Sequence, residues 1–345
     1  MKNIQYQSLF ILILSILVSF SNQVQAEPVG QSPETTNRVI VRGGTIVDVR
    51  TGSLQSNATI VMENDRIVDV SGAEYLPEAN ETVIDATGQY ILPGLIDAHV
   101  HYEDFAPELF LNHGLTTVLD LGNDYEWIKA TSEAIEEGWI PGPRLYYSTP
   151  HFDASPPDGS PLLAQRGHKH YVDTVAEAWE AMTEYLAQGI SAVKIYEKLG
   201  PDVLSTITRM ADRANIPVIG HYLDAQTTIA TSGTGIEHLY AIVRSAQDEE
   251  TAQIIRELNE QRPGSLGIGI VASVDWDMVP SVIDELIEHN IYLNPTLMIY
   301  RSVPYFKNKG FQYEDFELLF NDWRLRYIPL QFRLHILKEY QEQGV

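Results

Sequence analysis

Hydrophobic residues in the first part of the chain occur in short β-branched runs. A polar stretch at 27–37 precedes them, and the runs are Val39–Val41, Thr45–Val47, Thr59–Met62, Ile67–Val70 and Val83–Ile84. Glycine, asparagine and aspartate separate the runs, which is typical of strands joined by tight turns. The pattern predicts a flexible leader over 27–37 and a small antiparallel β domain over 38–90.

Beyond residue 90 the pattern alternates between strand-like and helix-like segments. The predicted strands after the run at Ile91–His101 are Thr116–Leu121, Arg144–Tyr147, Ser191–Tyr196, Pro217–His221, Gly235–Leu239, Leu266–Val274 and Tyr292–Thr296. The predicted helices are Thr174–Gln188, Pro201–Ala214, Asp248–Gln261, Val279–His289 and one or two segments within Glu314–Gln343. Thr174 and Glu177 have the spacing of a capping box, and Gly189 follows as a helix stop.

This alternation predicts an α/β fold with a parallel sheet, and the number of units favours a (β/α)8 TIM-type barrel over 91–345. A doubly wound open sheet is the alternative. No glycine-rich phosphate loop follows any predicted strand, which disfavours it.

The first 26 residues have the features of a secretory signal peptide. Lys2 supplies a positive start, Leu9–Phe20 is an apolar core, and Val24–Ala26 resembles a small-residue cleavage site. We expect a mature chain that begins near Glu27 and is exported to the periplasm or the extracellular space. A retained membrane anchor is the alternative, and the short apolar run disfavours it.

Composition narrows the chemistry. The chain has 10 histidines, no cysteine and a formal net charge of -24. Thiolate metal sites, catalytic cysteines and disulfides are therefore excluded. The negative charge argues against nucleic acid or an anionic membrane as a partner, because both would be repelled. A homo-oligomer remains open.

The most informative segment is Ile91–His101, which reads ILPGLIDAHVH. Residues i and i+2 of a strand point to the same face, so His99 and His101 can aim two imidazoles at one point. Neutral imidazoles are common metal ligands, and Asp97 on the same face can orient one of them. The alternative is one histidine at the strand end and one in solvent.

Three further candidates lie at predicted strand ends: Lys194, His221 and His238. Strand C-termini of a parallel barrel open on one face, so these side chains should converge. Each has an ordinary alternative. The histidines suit core positions with backbone hydrogen bonds, and Lys194 suits a salt bridge with Glu197 or another acid.

These residues resemble the amidohydrolase superfamily, in particular its prolidase-like and imidazolonepropionase-like branch. The matching segments are Ile91–His101, Val193–Tyr196, Gly220–His221 and Glu237–His238. The resemblance implies a barrel flanked by a β-sandwich built from both ends of the chain. It also implies two divalent cations, usually zinc, held by His99, His101, His221, His238 and a CO2-derived carbamate on Lys194. Water activated there would hydrolyse an amide-like C–N bond.

The same resemblance implies a proton-accepting aspartate at the end of strand eight. After the helical stretch Glu314–Gln343, Gly344 is a helix stop and Val345 would begin the next strand. We therefore expect a fragment with an incomplete barrel of about seven strands, whose catalytic aspartate lies beyond Val345. Asp120, Asp153 and Asp275 are weaker candidates for a substitute base.

Other polar residues carry weaker hypotheses. Tyr196 and Tyr222 adjoin ligand candidates and can either contact substrate or pack as aromatics. His151 and His168–His170 lie in a predicted loop rich in proline and glycine. This loop can cover the pocket, but solvated histidines are the simpler interpretation.

The sequence therefore predicts an exported, binuclear metal-dependent amidohydrolase that acts on a small amide, a dipeptide-like substrate or a cyclic amide. One alternative is a non-catalytic metal-binding scaffold or an inactive truncated product. Another is a mononuclear deaminase of the same superfamily, which Lys194 disfavours because such an enzyme needs no bridging carbamate.

Overall fold

The computed structural model describes residues 38–72, 75–78, 81–156, 168–196, 198–222, 224–261, 273–298 and 309–342. The chain divides into two compact units, with the boundary between Pro93 and Gly94. The predicted signal segment 1–26 and leader 27–37 lie outside the described residues. Among the helices that are described, none has the length and apolarity needed to cross a membrane.

The N-terminal unit contains one five-stranded sheet. Its strands are β1 (Arg38–Val47), β2 (Leu54–Glu63), β3 (Arg66–Gly72), β4 (Thr82–Asp85) and β5 (Tyr90–Ile91). The order is β3-β2-β1-β4, with β5 also paired to β1. Ile40 and Val61 are fully buried on this sheet. The described residues thus supply one sheet of the predicted sandwich.

The prediction that this unit is antiparallel is wrong for its last two strands. β1 pairs antiparallel with β2, but it pairs parallel with β4 and β5. The reason is the connection from β3 to β4, which carries the chain past β2 to the far side of β1. Turn residues predict where a strand ends, but not on which side the next strand enters the sheet.

The C-terminal unit alternates strands and helices. Its strands are β6 (Leu95–Val100), β7 (Leu115–Asp120), β8 (Arg144–Tyr147), β9 (His151–Asp153), β10 (Lys169–Tyr171), β11 (Val193–Ile195), β12 (Val218–Gly220), β13 (Gly235–Glu237) and β14 (Tyr292–Asn294). The helices are α1 (Ala106–Asn112), α2 (Tyr125–Glu136), α3 (Val175–Gln188), α4 (Pro201–Arg213), α5 (Ala225–Ala230), α6 (Tyr240–Ser245), α7 (Glu249–Gln261), α8 (Val279–Glu288), α9 (Lys309–Asn321) and α10 (Leu330–Glu342).

The strands of this unit pair in parallel and largely in chain order. One sheet has the order β6-β7-β8, and the other has the order β10-β9-β11-β12-β13-β14. A parallel bridge between Ser148 and Ala192 links the end of β8 to the start of β11. Strands β6, β7, β8, β11, β12, β13 and β14 thus follow the succession of a TIM-type barrel, which confirms the predicted α/β architecture.

Local sequence signals act as predicted at α3. The Thr174 hydroxyl accepts a hydrogen bond from the Glu177 amide at 3.2 Å, and the Glu177 carboxylate accepts one from the Thr174 amide at 2.9 Å. Gly189 ends the helix with a φ of 88°, which is easiest for glycine. The buried face of α3, with Ala178 and Met182, packs into the core of the unit.

Two strand predictions need correction. Most of the predicted strand Leu266–Val274 lies outside the described residues, but Ser273 and Val274 are not in a strand and β13 pairs directly with β14. Strands β9 and β10 form where the sequence predicted only loop. Three-residue strands are too short to produce a readable alternation of polar and apolar positions.

Thr174→Ala tests the capping box of α3. Removing the hydroxyl leaves the Glu177 amide without its partner, so the free energy of unfolding should fall by about 1 kcal/mol. Denaturant unfolding followed by circular dichroism measures the change. Thr183→Ala is the matched control in the same helix, because Thr183 bonds only the Trp179 carbonyl there. Equal destabilisation by both variants would contradict the capping role.

Candidate functional site

The predicted ligand candidates lie at the C-terminal ends of parallel strands in the C-terminal unit. His99 is the penultimate residue of β6, and His101 directly follows this strand. Lys194 is in β11, and His221 and His238 directly follow β12 and β13, respectively. The C-terminal ends of neighbouring parallel strands lie at the same edge of a sheet, so residues far apart in sequence meet there.

The structure brings the four imidazoles together. Ring centres of His99 and His101 are 5.4 Å apart, those of His99 and His238 are 5.1 Å apart, and those of His221 and His238 are 4.6 Å apart. The rings therefore form one continuous cluster. That these histidines bind metal stays a prediction.

Lys194 lies under this cluster and is 1% exposed. Its amide donates to the Thr149 hydroxyl at 3.0 Å, whereas its Nζ has no hydrogen-bond partner. Burial lowers the pKa of Lys194 to about 8, against the raising effect of the Glu237 and Asp120 carboxylates. Burying an amine without a hydrogen-bond partner destabilises the folded protein, so packing alone does not account for a lysine at this position.

The imidazoles of His101, His221 and His238 are shifted toward the neutral form. Burial lowers the pKa of His101 to about 4 and that of His238 to about 3, and it lowers the pKa of His221 further. The charge of Lys194 lowers all three values as well. Neutral imidazole is the form that binds metal ions.

Glu237 is a member of the site that the sequence pattern did not single out. It is 4% exposed, and its Oε2 contacts Nδ1 of His99. An alternating strand would send the side chains of Glu237 and His238 to opposite faces. The position of Glu237, directly before the ligand candidate His238 at a strand end, is the sequence feature that could have indicated a role in the site.

His151 and His168 are not solvated loop residues, so that interpretation is wrong. His151 is 6% exposed in β9, and its Nε2 donates to the Leu121 carbonyl at 2.7 Å. His168 is half-buried and its Nδ1 donates to the Gly122 carbonyl at 2.7 Å. Burial lowers the pKa of His151 to about 3. The two rings line the approach to His101, 5.9 Å from His151.

Gly122 makes room for His151. A Cβ at Gly122 would lie 2.0 Å from Nε2 of His151, and the φ of 112° at this residue is unfavourable for any other side chain. Any side chain at position 122 would clash with the His151 ring, and the backbone conformation would be strained for a residue other than glycine.

The two tyrosine candidates have different surroundings. The Tyr196 ring lies between His151 and His221, with centre distances of 4.6 and 4.2 Å. Tyr222 is 2% exposed, and its hydroxyl donates to the Val218 carbonyl at 3.3 Å. The Tyr196 ring thus contacts the histidines, whereas Tyr222 is packed in the core. A substrate contact by either tyrosine stays a prediction.

The three candidate bases also differ. Asp120 is fully buried and accepts hydrogen bonds from the amides of Tyr102 and Gly122, while burial raises its pKa. Asp153 is paired with Lys169 at 2.6 Å. Asp275 is exposed and accepts a hydrogen bond from the Asp277 amide at 3.0 Å. A role as base for any of the three stays a prediction.

A cavity of about 1070 Å³ opens beside the cluster. Its walls include His101, His151, His168, Lys169 and Tyr196 on one side. Aromatic side chains Phe105, Trp127 and Phe332 contribute to its lining as well. This volume is at the upper end of the range for small-molecule pockets.

The histidine spacing and the unpartnered amine fit a metal centre. Two imidazoles on one tetrahedral zinc have ring centres about 5 Å apart, because each Zn–N bond is about 2.1 Å. The observed separations match that spacing. No group of three or more His, Asp or Glu side chains within the described ranges is already arranged to hold an ion, however, and His99 contacts Glu237 instead. The spacing of the ring centres therefore agrees with a metal centre, while the donor atoms of the described side chains do not converge on one point.

The amidohydrolase family model matches residues 90–310, which is more than half of the chain. The chain belongs to the amidohydrolase family. The matched segment includes all five ligand candidates, so the cluster lies within the family-defining region of this amidohydrolase.

Curated relatives match this amidohydrolase over short segments. An enamidase from Eubacterium barkeri is 35% identical over 89 residues, which is 23% of this chain and 23% of the relative. Adenine deaminase 2 from Rhizobium meliloti is 40% identical over 87 residues, or 24% of this chain and 14% of the relative. The chain thus spans less than a quarter of the length of these relatives.

Solved structures share the fold of this amidohydrolase. A protein from Bifidobacterium longum, provisionally described as a prolidase, has a TM-score of 0.52 and 25% identity, covering 62% of this chain and 56% of its own. A Xaa-Pro dipeptidase with bound methionine in its active site has a TM-score of 0.56 and 16% identity, covering 90% and 78%. The second likeness concerns the fold alone.

Lys194→Met tests the cost of the buried amine in this amidohydrolase. Lys194 has a pKa of about 8 when folded against an ordinary 10.5, so the unfolded state binds more protons between these values. The stability of the wild type should therefore rise as pH rises from about 8 toward 10.5, whereas below about 8 the full cost of burial persists. The metal-free variant should be the more stable protein at about pH 7. Its advantage should shrink above about pH 8 by at most about 1.4 kcal/mol per pH unit.

Urea unfolding of both proteins in chelator-treated, CO2-depleted buffer measures this difference. Titrating groups that do not interact with Lys194 are common to both proteins and cancel in the comparison, and the pKa values of His101 and His238 lie well below this pH range. An advantage of the variant that stays constant from about pH 7 to about pH 9.5 would show that Lys194 is not a buried ammonium in the metal-free protein.

Proposed function

We propose that this chain is a metal-dependent hydrolase of C–N bonds in amides, with His99, His101, His221, His238 and carbamylated Lys194 as the metal ligands. The observation that carries the proposal is the Lys194 amine, buried without a hydrogen-bond partner beside four clustered imidazoles. A carbamate at this nitrogen would turn an unfavourable buried cation into an anionic ligand.

The carbamate forms from the neutral amine. The Nζ lone pair of Lys194 attacks the carbon of CO2, an N–C bond forms, one proton leaves to solvent, and the product carries one negative charge. The lowered pKa of Lys194 supports this step, because it increases the neutral fraction near physiological pH. Two divalent cations would balance the new charge, and zinc suits the imidazole donors.

Divalent cations bound here would supply Lewis acidity, which favours ionisation of water and polarises an amide carbonyl. The protein residues have separate tasks. The imidazoles of His99, His101, His221 and His238 offer nitrogen donors, while Glu237 orients His99 through its Nδ1. His151 and Tyr196 form the wall beside His101 and His221, so a substrate amide in the cavity would lie against them.

The comparisons support the class of bond. The matched relatives are named enamidase, dihydroorotase and adenine deaminase, and the first two names denote hydrolysis of an amide. The prolidase and dipeptidase structures share the fold. Dipeptide-like and cyclic amides are therefore the first substrates to test, within a cavity large enough for either.

A mononuclear deaminase is the second candidate function. The match to adenine deaminase 2, 40% identical over 87 residues, favours it. The buried Lys194 favours the binuclear centre instead, because a single ion held by histidines leaves that amine without a ligand role.

Metal content tests the proposal directly. The purified full chain is stripped with chelator, reloaded with zinc in the presence or absence of bicarbonate, and measured by mass spectrometry of bound metal. We expect two ions per chain, dependent on bicarbonate, and their loss in His221→Ala. His289→Ala is the matched control, because His289 is exposed at the end of α8.

Activity is then measured on Xaa-Pro dipeptides, N-acyl amino acids, cyclic amides and adenine. Release of amine or opening of an amide ring supports the proposal. One ion per chain with ammonia released from adenine would favour the deaminase. Two ions without hydrolysis of any compound would indicate a metal-binding scaffold, and failure of the wild type to retain any metal would overturn the metal centre.

A further inference from the structure

His238 has an unusual backbone conformation. Its φ is 65°, in the left-handed region that residues other than glycine and asparagine rarely adopt. It directly follows β13, where the chain turns into the loop before α6. Such a conformation persists only where neighbouring residues stabilise it, so the contacts of His238 show which residues hold it in place.

The contacts come from the end of the adjacent strand β14. The His238 amide donates to the Asn294 carbonyl at 2.9 Å, and the Nδ1 of its ring lies 2.5 Å from the Thr296 hydroxyl. Both the backbone and the ring of His238 are therefore held by residues 294–296.

Thr296 is itself strained. Its φ is 44°, and positive φ in a β-branched residue is a genuine outlier. Two adjacent strand ends thus each carry a left-handed residue, and one hydrogen bond joins their side chains. The strain on both sides places the hydroxyl against the imidazole.

The turn at His238 also changes where its side chain points. Glu237 contacts His99 through Nδ1, and the ring of the next residue, His238, is 5.1 Å from the same His99 ring. Consecutive residues of an extended strand point to opposite faces, so both could not reach His99 without this turn. The left-handed conformation therefore adds His238 to the cluster.

We propose that Thr296 is a positioning residue that fixes the tautomer and the orientation of the His238 ring. In the arrangement that we propose, its hydroxyl accepts the Nδ1 proton, which would leave Nε2 unprotonated and able to bind a metal ion. The proposal rests on the proposed function in one respect, namely that His238 is a ligand. A second partner that fixes the ring orientation of a metal-bound histidine typically changes affinity by about 10–100-fold when it is removed.

Thr296→Val and Thr296→Ser test the hydroxyl. Valine keeps the branched shape but cannot hydrogen-bond, whereas serine keeps the hydroxyl without the methyl group. The first measurement uses the metal-free full chain, in which the ring nitrogens of His238 are observed by ¹⁵N nuclear magnetic resonance and assigned by their loss in His238→Gln. We expect an Nδ1–H tautomer in the wild type and in Thr296→Ser, and a shift toward Nε2–H in Thr296→Val.

The second measurement is zinc affinity by competition with a chromogenic chelator. Thr296→Val should bind the weaker-held ion about 10–100-fold less tightly than the wild type, and Thr296→Ser should stay within about threefold. Thr206→Val is the matched control, because Thr206 is 4% exposed and its hydroxyl bonds only within α4, donating to the Asp202 carbonyl and accepting from the Arg209 guanidinium. Urea unfolding of each variant shows whether the protein remains folded.

The outcomes separate this inference from the proposed function. If the wild type binds zinc and Thr296→Val matches it in both affinity and tautomer, Thr296 is not a positioning residue. If the wild type binds no zinc, the proposed metal centre fails, but the tautomer comparison still decides the role of Thr296. Equal loss of affinity in Thr296→Val and Thr296→Ser would show that the threonine acts through its shape and would overturn the hydrogen-bond role.

Discussion

The site depends on one electrostatic constraint, the burial of the Lys194 amine at the centre of a parallel sheet. A lysine head group in such a place has lost its hydration, and nothing in the described surroundings donates or accepts a hydrogen bond in exchange. The carboxylates of Asp120 and Glu237 offset part of the cost, and the lowered pKa values of His101 and His238 keep these two rings from adding positive charge beside it. The proposed carbamate would remove this cost, because it replaces the cationic head group with an anionic one.

The fold supplies the convergence that this chemistry needs. Short parallel strands such as β11, β12 and β13 end at the same edge of the sheet, so residues separated by many positions in sequence meet there. Where strand alternation alone would send a needed side chain away, the backbone departs from ordinary conformations, as at His238 and Thr296. Gly122 serves the same end in another way, because its missing side chain admits the His151 ring.

Sequence reasoning was informative wherever a local pattern has one structural meaning. The spacing of His99 and His101, the capping box at Thr174 and the strand at Arg144–Tyr147 are such cases, and the structure has each of them in place. It was uninformative where the outcome depends on the neighbour across the sheet. The direction of β4, the burial of His151 in a three-residue strand and the approach of Glu237 to His99 are set by tertiary contacts that leave no periodic trace.

The hydrogen bonds between His238 and residues 294–296 have a consequence for biosynthesis. Ribosomes make the chain from its N-terminus, and the histidines of the cluster have all been incorporated once residue 238 is added. The amide and the ring of His238 nevertheless find their partners only in residues 294–296. The nascent polypeptide therefore carries an unfinished cluster through the synthesis of more than fifty additional residues, and its last imidazole is fixed only when β14 docks.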